Sequence, residues 1–542
     1  IDPLGPSSTL PIDRAQNRFR YGGRITRVNG RHTLIAGADF ARLQVNGGEA
    51  SSNRGVLYFR SEFGRDAMTN LRLGTPSRFS TGIGELVRGF RSWERQLFAG
   101  DNWRVHRNLT LNYGIRYQPI TAPVEVNRLT EIPYHCDCNN VAPRFGFAYR
   151  LPDRWGVLRG AYGVQFGDIF PVTFQQLRWD PPNFHKIEVQ APNLVNPLRD
   201  ADLRPTARST IFVVPPTLRT PYSHQYNFSW EAPTGTKWKL QLGYVGSRTQ
   251  KLLMMWFTNR PLDIPGIPLT TETINLRRPD PNHFEVRRVE NSSRAYFDAA
   301  RISLVLPAWH GLAVDTAYWF SKAIDLGGAY TNTAAGDDAK QGRSQSESLV
   351  SEDLKGPSAF DQSHSFLARV TYLTPSITGR AAVRRILGRW SLSAVLLAKT
   401  GSPFTVFSGS DGPGFGNVDG SSSDRPNLLD PSILGRIVGH PDTSRLLLPR
   451  SAFGFIRPTD VRGNLGVGTF RRAGIHNVNA GVSRSWTLGS DRSLSLRAES
   501  INFFNSPQFA EPGTDVTSPS FGQITNTLND GRTFQFQLRL RF

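Results

Sequence analysis

The chain has 542 residues, 64 Lys and Arg against 44 Asp and Glu, and a formal net charge of +20. It lacks any run of about 18 apolar residues, which excludes helical membrane spans, and it is too long for one ordinary soluble domain. Its basic residues are mostly arginines that alternate with apolar residues or sit at turns; they form no single stripe, so nucleic acid is not an expected partner.

A polar lead-in over 1–15 precedes a hairpin predicted at 18–28 and 32–43. Its turn dipeptide, Asn29-Gly30, is the strongest short hairpin signal. A loop at 46–53, a strand at 55–63, a short helical turn over 66–73 and a weak strand at 77–83 follow. A long strand at 90–103 turns at His106-Arg107. In the next run Leu109, Leu111, Tyr113, Ile115 and Tyr117 alternate with Thr110, Asn112, Gly114, Arg116 and Gln118. Beyond a loop at 120–140, Phe145, Phe147 and Tyr149 share a face. The chain turns at Pro152-Asp153 and returns through Leu158, Tyr162, Val164 and Phe166. A Pro-, Asn- and Asp-rich loop covers 168–219. Tyr222, Tyr226, Phe228 and Trp230 then oppose Ser223, Gln225, Asn227 and Ser229, with a turn at 233–235 and a return through Trp238, Leu240, Leu242 and Tyr244. A third long loop, 252–293, leads to a hairpin at 295–306 and 312–324, joined at Trp309-His-Gly311. A Gly/Asp/Ser-rich loop at 325–359 precedes strands at 363–373 and 390–400. The longest irregular stretch is 401–474, and the last strands are 475–488, 493–502 and 532–542.

The final strand is the clearest. Phe534, Phe536, Leu538, Leu540 and Phe542 lie on one face, and Gln535, Gln537, Arg539 and Arg541 on the other. An edge strand this apolar would recruit another chain in water. A transmembrane barrel instead offers lipid to one face and a wet lumen to the other. The expected fold is therefore all-β, an antiparallel transmembrane β-barrel spanning residues 1–542 with about 17 strands. Tight turns at one end and long loops at the other match periplasmic and extracellular ends in the bacterial outer membrane. Single-chain bacterial barrels keep an even strand number, so an odd count implies absent N-terminal strands, about five if the whole has the 22 strands of plugged transporters. The start at Ile1, without Met or signal peptide, also points to a longer parent chain.

The wet face supplies lumen-lining candidates: Arg116, Arg159, Arg497, Glu499, Arg539 and Arg541, with Arg497 and Glu499 read as an ion pair in the wall. Such a field favours anions. At the rims, phosphorylated lipid and lipopolysaccharide are the expected partners of arginine. His135-Cys136-Asp137-Cys138 holds soft ligands in one Cys-x-Cys pair, with no second pair to complete a tetrahedral site. A disulfide staple or two inert thiols is the competing reading for Cys136 and Cys138. Asp411 and Asp419, with Asp424, offer hard oxygens to calcium in a Gly-rich loop whose spacing is not that of an EF-hand. No metal or cofactor is expected. Neither Gly-x-Ser-x-Gly nor His-Glu-x-x-His occurs, and the expectation is a non-enzyme.

Several stretches resemble the Oar-like family of TonB-dependent receptors. They are Asp101-Asn-Trp-Arg-Val-His-Arg-Asn-Leu-Thr-Leu-Asn-Tyr-Gly-Ile-Arg-Tyr117, Asn140-Val-Ala-Pro-Arg-Phe-Gly-Phe-Ala-Tyr-Arg150, Tyr244-Val-Gly-Ser247, Trp319-Phe-Ser-Lys-Ala-Ile-Asp325, Phe360-Asp-Gln-Ser-His364, Thr400-Gly-Ser-Pro-Phe404, Arg497-Ala-Glu-Ser-Ile-Asn-Phe-Phe-Asn505 and Phe521-Gly-Gln-Ile-Thr525. The resemblance implies a 22-strand barrel preceded by a sandwich domain, a TonB-contacting segment and a plug, none of which is visible here. It implies energised uptake of a large or scarce ligand, with the TonB complex engaged through that N-terminal part. Phe534, Phe536, Leu538, Leu540 and Phe542 resemble the closing-strand signal read by the barrel-assembly machinery. A passive pore, a surface adhesion or secretion-associated barrel, and a soluble β-rich lectin or enzyme remain as alternatives.

Overall fold

A computed structural model describes residues 4–542 apart from 8–9, 51, 153–154, 205–206, 234–236, 328–344, 346–352, 379, 381–382, 384–385, 421–423, 459 and 490. The predicted turns at Pro152-Asp153, 233–235 and 489–491, and much of the 325–359 loop, fall on residues outside that set.

One sheet of 18 strands dominates. Three members are short: Val124–Glu125, Ser209–Val213 and Gly356–Pro357. The other fifteen form a continuous antiparallel meander. In chain order they are β1 (Ile12–Asn29), β2 (His32–Glu49), β3 (Arg88–His106), β4 (Leu109–Tyr117), β5 (Val141–Arg150), β6 (Val157–Phe166), β7 (Tyr222–Pro233) and β8 (Lys239–Thr258). They continue as β9 (His283–Trp309), β10 (Leu312–Asp325), β11 (His364–Leu373), β12 (Ser391–Lys399), β13 (Ile475–Thr487), β14 (Ser493–Ile501) and β15 (Thr533–Arg541). Each pairs with its successor. Among the described residues no pairing joins β1 to β15, which are the two edges of the sheet.

The register follows from the alternation in sequence. Tyr113, Phe145, Tyr162 and Tyr226 stand in one lateral row across β4 to β7. The next row, on the opposite face, is Gly114, Arg144, Gly163 and Gln225. A slip of one residue would put arginine and glutamine in the aromatic row, so the pattern fixes the pairing. Gly246 sits directly under the Tyr226 ring, where a Cβ would collide with it. At the β9–β10 turn, His310 and Gly311 both adopt positive φ, 47° and 83°, as a two-residue hairpin demands.

Two of the predicted strands do not belong to the wall. Arg78–Gly84 pairs with Val56–Tyr58 on one side and with Phe184–Gln190 on the other, in a separate three-stranded sheet. At three and seven residues they are shorter than the 9–11 residues a spanning strand needs. The wall therefore holds fifteen of the 17 counted, and the number stays odd. Conversely, the 252–293 stretch is not all loop. β8 runs to Thr258 and β9 begins at His283, the ladder continuing past irregularities near Leu252. At 20 and 27 residues these strands exceed any membrane span and stand out at the long-loop end. The helical turn predicted over 66–73 is an α-helix, Ala67–Leu73. Asp66 caps it by accepting from the Thr69 amide, and Gly74 ends it in the left-handed region.

Candidate functional site

The two faces of the wall are told apart by what covers them. At the long-loop end, Leu43, Val45 and Phe90 lie on the Arg116 face by register, and Leu253, Met255 and Val289 of β8 and β9 pack with them. They are buried in one apolar cluster with Tyr134, Phe174, Leu177, Phe212, Val214 and Leu218 from the 118–140 and 167–221 connections. Those connections therefore fold over the Arg116 face and close the mouth on that side. This face is the inner one; the aromatic rows face outward.

Below the cap the inner wall is polar. Arg18, Glu94, Arg116, Arg144, Gln165 and Asp168 surround a pocket of about 170 Å³. Arg18 and Glu94 are ion-paired, and Arg20 meets Asp39 at 3.1 Å. Arg116 Nε is buried with no hydrogen-bond partner among the described residues. Arg144 lies on the adjacent strand, diagonal to Arg116. Three guanidinium groups against two carboxylates leave the pocket net cationic, and two of the three have no ion pair within it.

A second part of the cap is built from 401–474 and 502–532. Phe404, Val406, Ile433, Val438, Phe453, Phe470 and Phe521 are buried together there. This stretch was expected to be the longest irregular one; it has a core of its own, a short helix Pro441–Leu447 and short ladders. The spacing of its apolar residues carries no period, because turns rather than strands or helices bring them together. Sequence periodicity cannot register such a core.

The small sheet in the cap buries charge. Glu188 is 5% exposed and accepts from Thr210 Oγ1 at 3.3 Å; Arg78 lies at 3.8 Å. Burial pushes the Glu188 carboxyl up, but Arg78, then Lys186, Arg278 and Arg287, outweigh it and hold it down to about 2. Burial, with Arg287 adding, lowers Lys186 to about 7. Because the folded value of Glu188 is depressed, its contribution is present above the ordinary carboxylate range and is lost as pH falls from there towards about 2. Limited proteolysis of the cap at stepped pH is therefore expected to show accelerating cleavage across that window. Glu188→Gln should flatten the acceleration. An unchanged profile in the variant would show that Glu188 does not hold the cap.

The sequence-predicted residues are placed as follows. Arg116, Arg159, Arg497, Glu499, Arg539 and Arg541 all lie on the inner face by register. Arg159 pairs with Glu231 at 3.2 Å, and Arg497 pairs with Glu499. Only Arg116 lines the pocket. Arg539 and Arg541 lie on the exposed edge strand β15. Phe534, Phe536, Leu538 and Leu540 stand opposite Ser500, Ala498, Leu496 and Leu494 on the outer face, and Phe542 is 94% exposed. Cys136 and Cys138 form a disulfide, so they present no thiolate to a metal. The bridge brackets Asp137, which is buried and accepts from the Thr220 amide at 2.8 Å, tying the 118–140 connection to the start of β7. Asp411 and Asp419 converge with Asp424. Arg18, Glu94, Arg144 and Asp168, which also line the pocket, were not among the lumen candidates that sequence offered. The alternation of Arg144 with Phe145 was the available signal; the meeting of β1, β3 and β5 over this pocket was not readable locally.

An antiparallel wall with an outward aromatic face, an inner arginine-rich face and loops folded over one mouth defines an outer-membrane β-barrel. The model of the outer membrane beta barrel domain matches residues 3–132 and 129–535, and the chain belongs to that family, in the bacterial outer membrane. Among solved structures it is similar to the outer membrane transporter YddB from Escherichia coli, at 12% identity and a TM-score of 0.52 over 98% of this chain and 55% of that one. It is also similar to a mutant of the ferric enterobactin receptor PfeA from Pseudomonas aeruginosa, at 11% identity and a TM-score of 0.50 over 97% of this chain and 54% of that one. The chain thus spans about half the length of these structures, and the likeness is one of fold. The first is a transporter and the second a receptor. No curated protein matches.

Proposed function

We propose that the chain is the wall and extracellular cap of a TonB-dependent receptor that takes up a scarce or large, polar or anionic ligand, and that it carries no enzymatic activity. One observation carries this reading. The mouth is covered by loops, one part packed on the wall through a shared apolar cluster and another with an apolar core of its own, over an inner wall whose pocket is net cationic. A passive pore gains nothing from such a cap, whereas capture followed by energised release requires one. The plug and the TonB-contacting segment belong to a part of the protein upstream of this chain. Lipopolysaccharide phosphates meet the outer rim near Arg248 and Lys251, whose cations lie over the Tyr226, Tyr296 and Tyr222 rings. The barrel-assembly machinery reads the face of Phe534, Phe536, Leu538, Leu540 and Phe542.

The test uses the native protein extracted from the outer membrane. Its intact mass should exceed that of this chain by several hundred residues, and in planar bilayers bathed in potassium chloride it should show no steady conductance. A steady ohmic current from the intact protein would replace this reading with that of a passive pore.

A further inference from the structure

Asp411, Asp419 and Asp424 each bring one carboxylate oxygen to within 4.8 Å of the others. Asp424 is fully buried, and neither of its carboxylate oxygens has a hydrogen-bond partner among the described residues. Ser408, whose amide donates to the Asp424 carbonyl at 2.8 Å, is equally buried and leaves its Oγ unpartnered. An isolated buried carboxylate is among the costliest groups a protein can hold, and it needs a counter-charge or a proton.

The neighbouring cations do not fill that need. Arg260 reaches Asp419 at 3.1 Å. Arg277 donates to the backbone carbonyls of Val418 and Leu262 at 2.6 and 3.0 Å. Arg278 donates to the Asn259 carbonyl and the Asn275 side chain, and Arg425 pairs with Asp353 at 3.0 Å. Asp411 is met by the amides of Asp419 and Gly420, at 3.0 and 2.7 Å, each of which uses one lone pair of one oxygen. Among the described residues the three carboxylates meet one guanidinium directly, with Arg60 acting on Asp411 from farther off, and neither the guanidinium nor any hydrogen-bond donor reaches the carboxylate oxygens of Asp424.

We infer that Asp411, Asp419 and Asp424 form a calcium site in the extracellular cap. The donors are all hard oxygens, which favours calcium over softer ions. Two oxygens on one calcium at 2.3–2.6 Å stand at most about 5 Å apart, the span observed here, whereas magnesium, at 2.0–2.1 Å and reluctant to shed water, suits a tighter and wetter cluster. The site lies where three connections meet: Ser410 Oγ donates to the Ser61 carbonyl of the 50–87 connection, and Arg260 comes from the 259–282 connection. Bound calcium would fix the 401–474 connection at the point where Arg260 and the Ser61 carbonyl tie the other two to it.

Equilibrium dialysis of the detergent-extracted native protein against calcium chloride tests the site. One ion per chain is expected, half-saturated on the order of 0.1–1 mM as for extracellular modules, and one fewer in Asp424→Asn and in Asp411→Asn. A chelator experiment on the unaltered protein does not depend on those variants folding. With calcium at about ten times its dissociation constant, cleavage within 401–474 should slow about tenfold relative to the chelated sample, since only the closed cap holds the ion. No calcium-dependent protection, or equal stoichiometry in wild type and both variants, would overturn the assignment.

Discussion

Phe145→Arg is expected to destabilise the folded barrel in lipid by ~2–4 kcal/mol, the cost of a lipid-facing arginine near the bilayer midplane. Phe145 is the fifth residue of the ten in β5, too far from either rim for the guanidinium to reach headgroups easily. Its lateral neighbours, Tyr113 and Tyr162, are aromatic and offer no counter-charge. The residue after it is the control. Gly146 faces inward, and a Cβ there would meet nothing closer than the Gly160 carbonyl oxygen at 3.4 Å. Gly146→Ser should therefore change stability by only a few tenths of a kcal/mol. Reversible urea unfolding of the full-length protein in vesicles measures both. If Phe145→Arg were as mild as Gly146→Ser, the outward assignment of the aromatic face would be wrong, and the inner pocket would have to be sought on the opposite side.

That face assignment was legible in the sequence because it is periodic. Once Leu109, Leu111, Tyr113, Ile115 and Tyr117 were seen to alternate with polar residues, register and sidedness followed for most of the meander, as did the alternation of tight turns with long connections. Two wall strands were overcounted where short extended runs, Val56–Tyr58 and Arg78–Gly84, have strand character without the length. The extensions of β8 and β9 were missed because Met254, Met255 and Trp256 are apolar on both faces. Met254 and Trp256 pack with Leu354, while Met255 joins the cluster at the mouth, so alternation disappears just where the strand leaves the membrane. The candidate sites were less legible. Arg18, Glu94 and Arg144 meet only through pairing across strands, and Asp424 reaches Asp411 through a loop whose path has no period. The sequence offered Asp411 and Asp419, with Asp424, as oxygen donors; their convergence, and the burial and orphaned oxygens of Asp424, were not readable from the spacing.

Arg425→Met is expected to cost the cap ~3–5 kcal/mol, the usual penalty for removing one partner of a buried ion pair and stranding the other. Arg425 and Asp353 expose 2% and 0% of their side chains. The guanidinium donates to the Asp353 carboxylate at 3.0 Å and its carbonyl at 2.7 Å, and to the Leu465 carbonyl at 2.7 Å. Gln345 joins them by accepting from the Arg425 amide at 2.7 Å and donating to Asp353 at 3.1 Å. Removing the charge alone leaves Asp353 buried without its guanidinium, whereas Asp353→Leu with Arg425→Met removes both charges and should recover most of the loss. Hydrogen exchange distinguishes a local from a global effect. Amides around Phe404, Val406, Phe453 and Phe470 should lose protection in the single variant, while those of β13 and β14 keep theirs. The 401–474 and 502–532 part of the cap has an apolar core of its own, separate from the cluster by which the 118–140 and 167–221 connections pack on the wall, so it can open as a unit below the stability of the wall. The proposed receptor would need that separation, since its cap would have to yield to a ligand while the fifteen strands of the wall stay in place. Equal loss of protection in cap and wall would make them one cooperative body and leave the proposed capture step without a moving part.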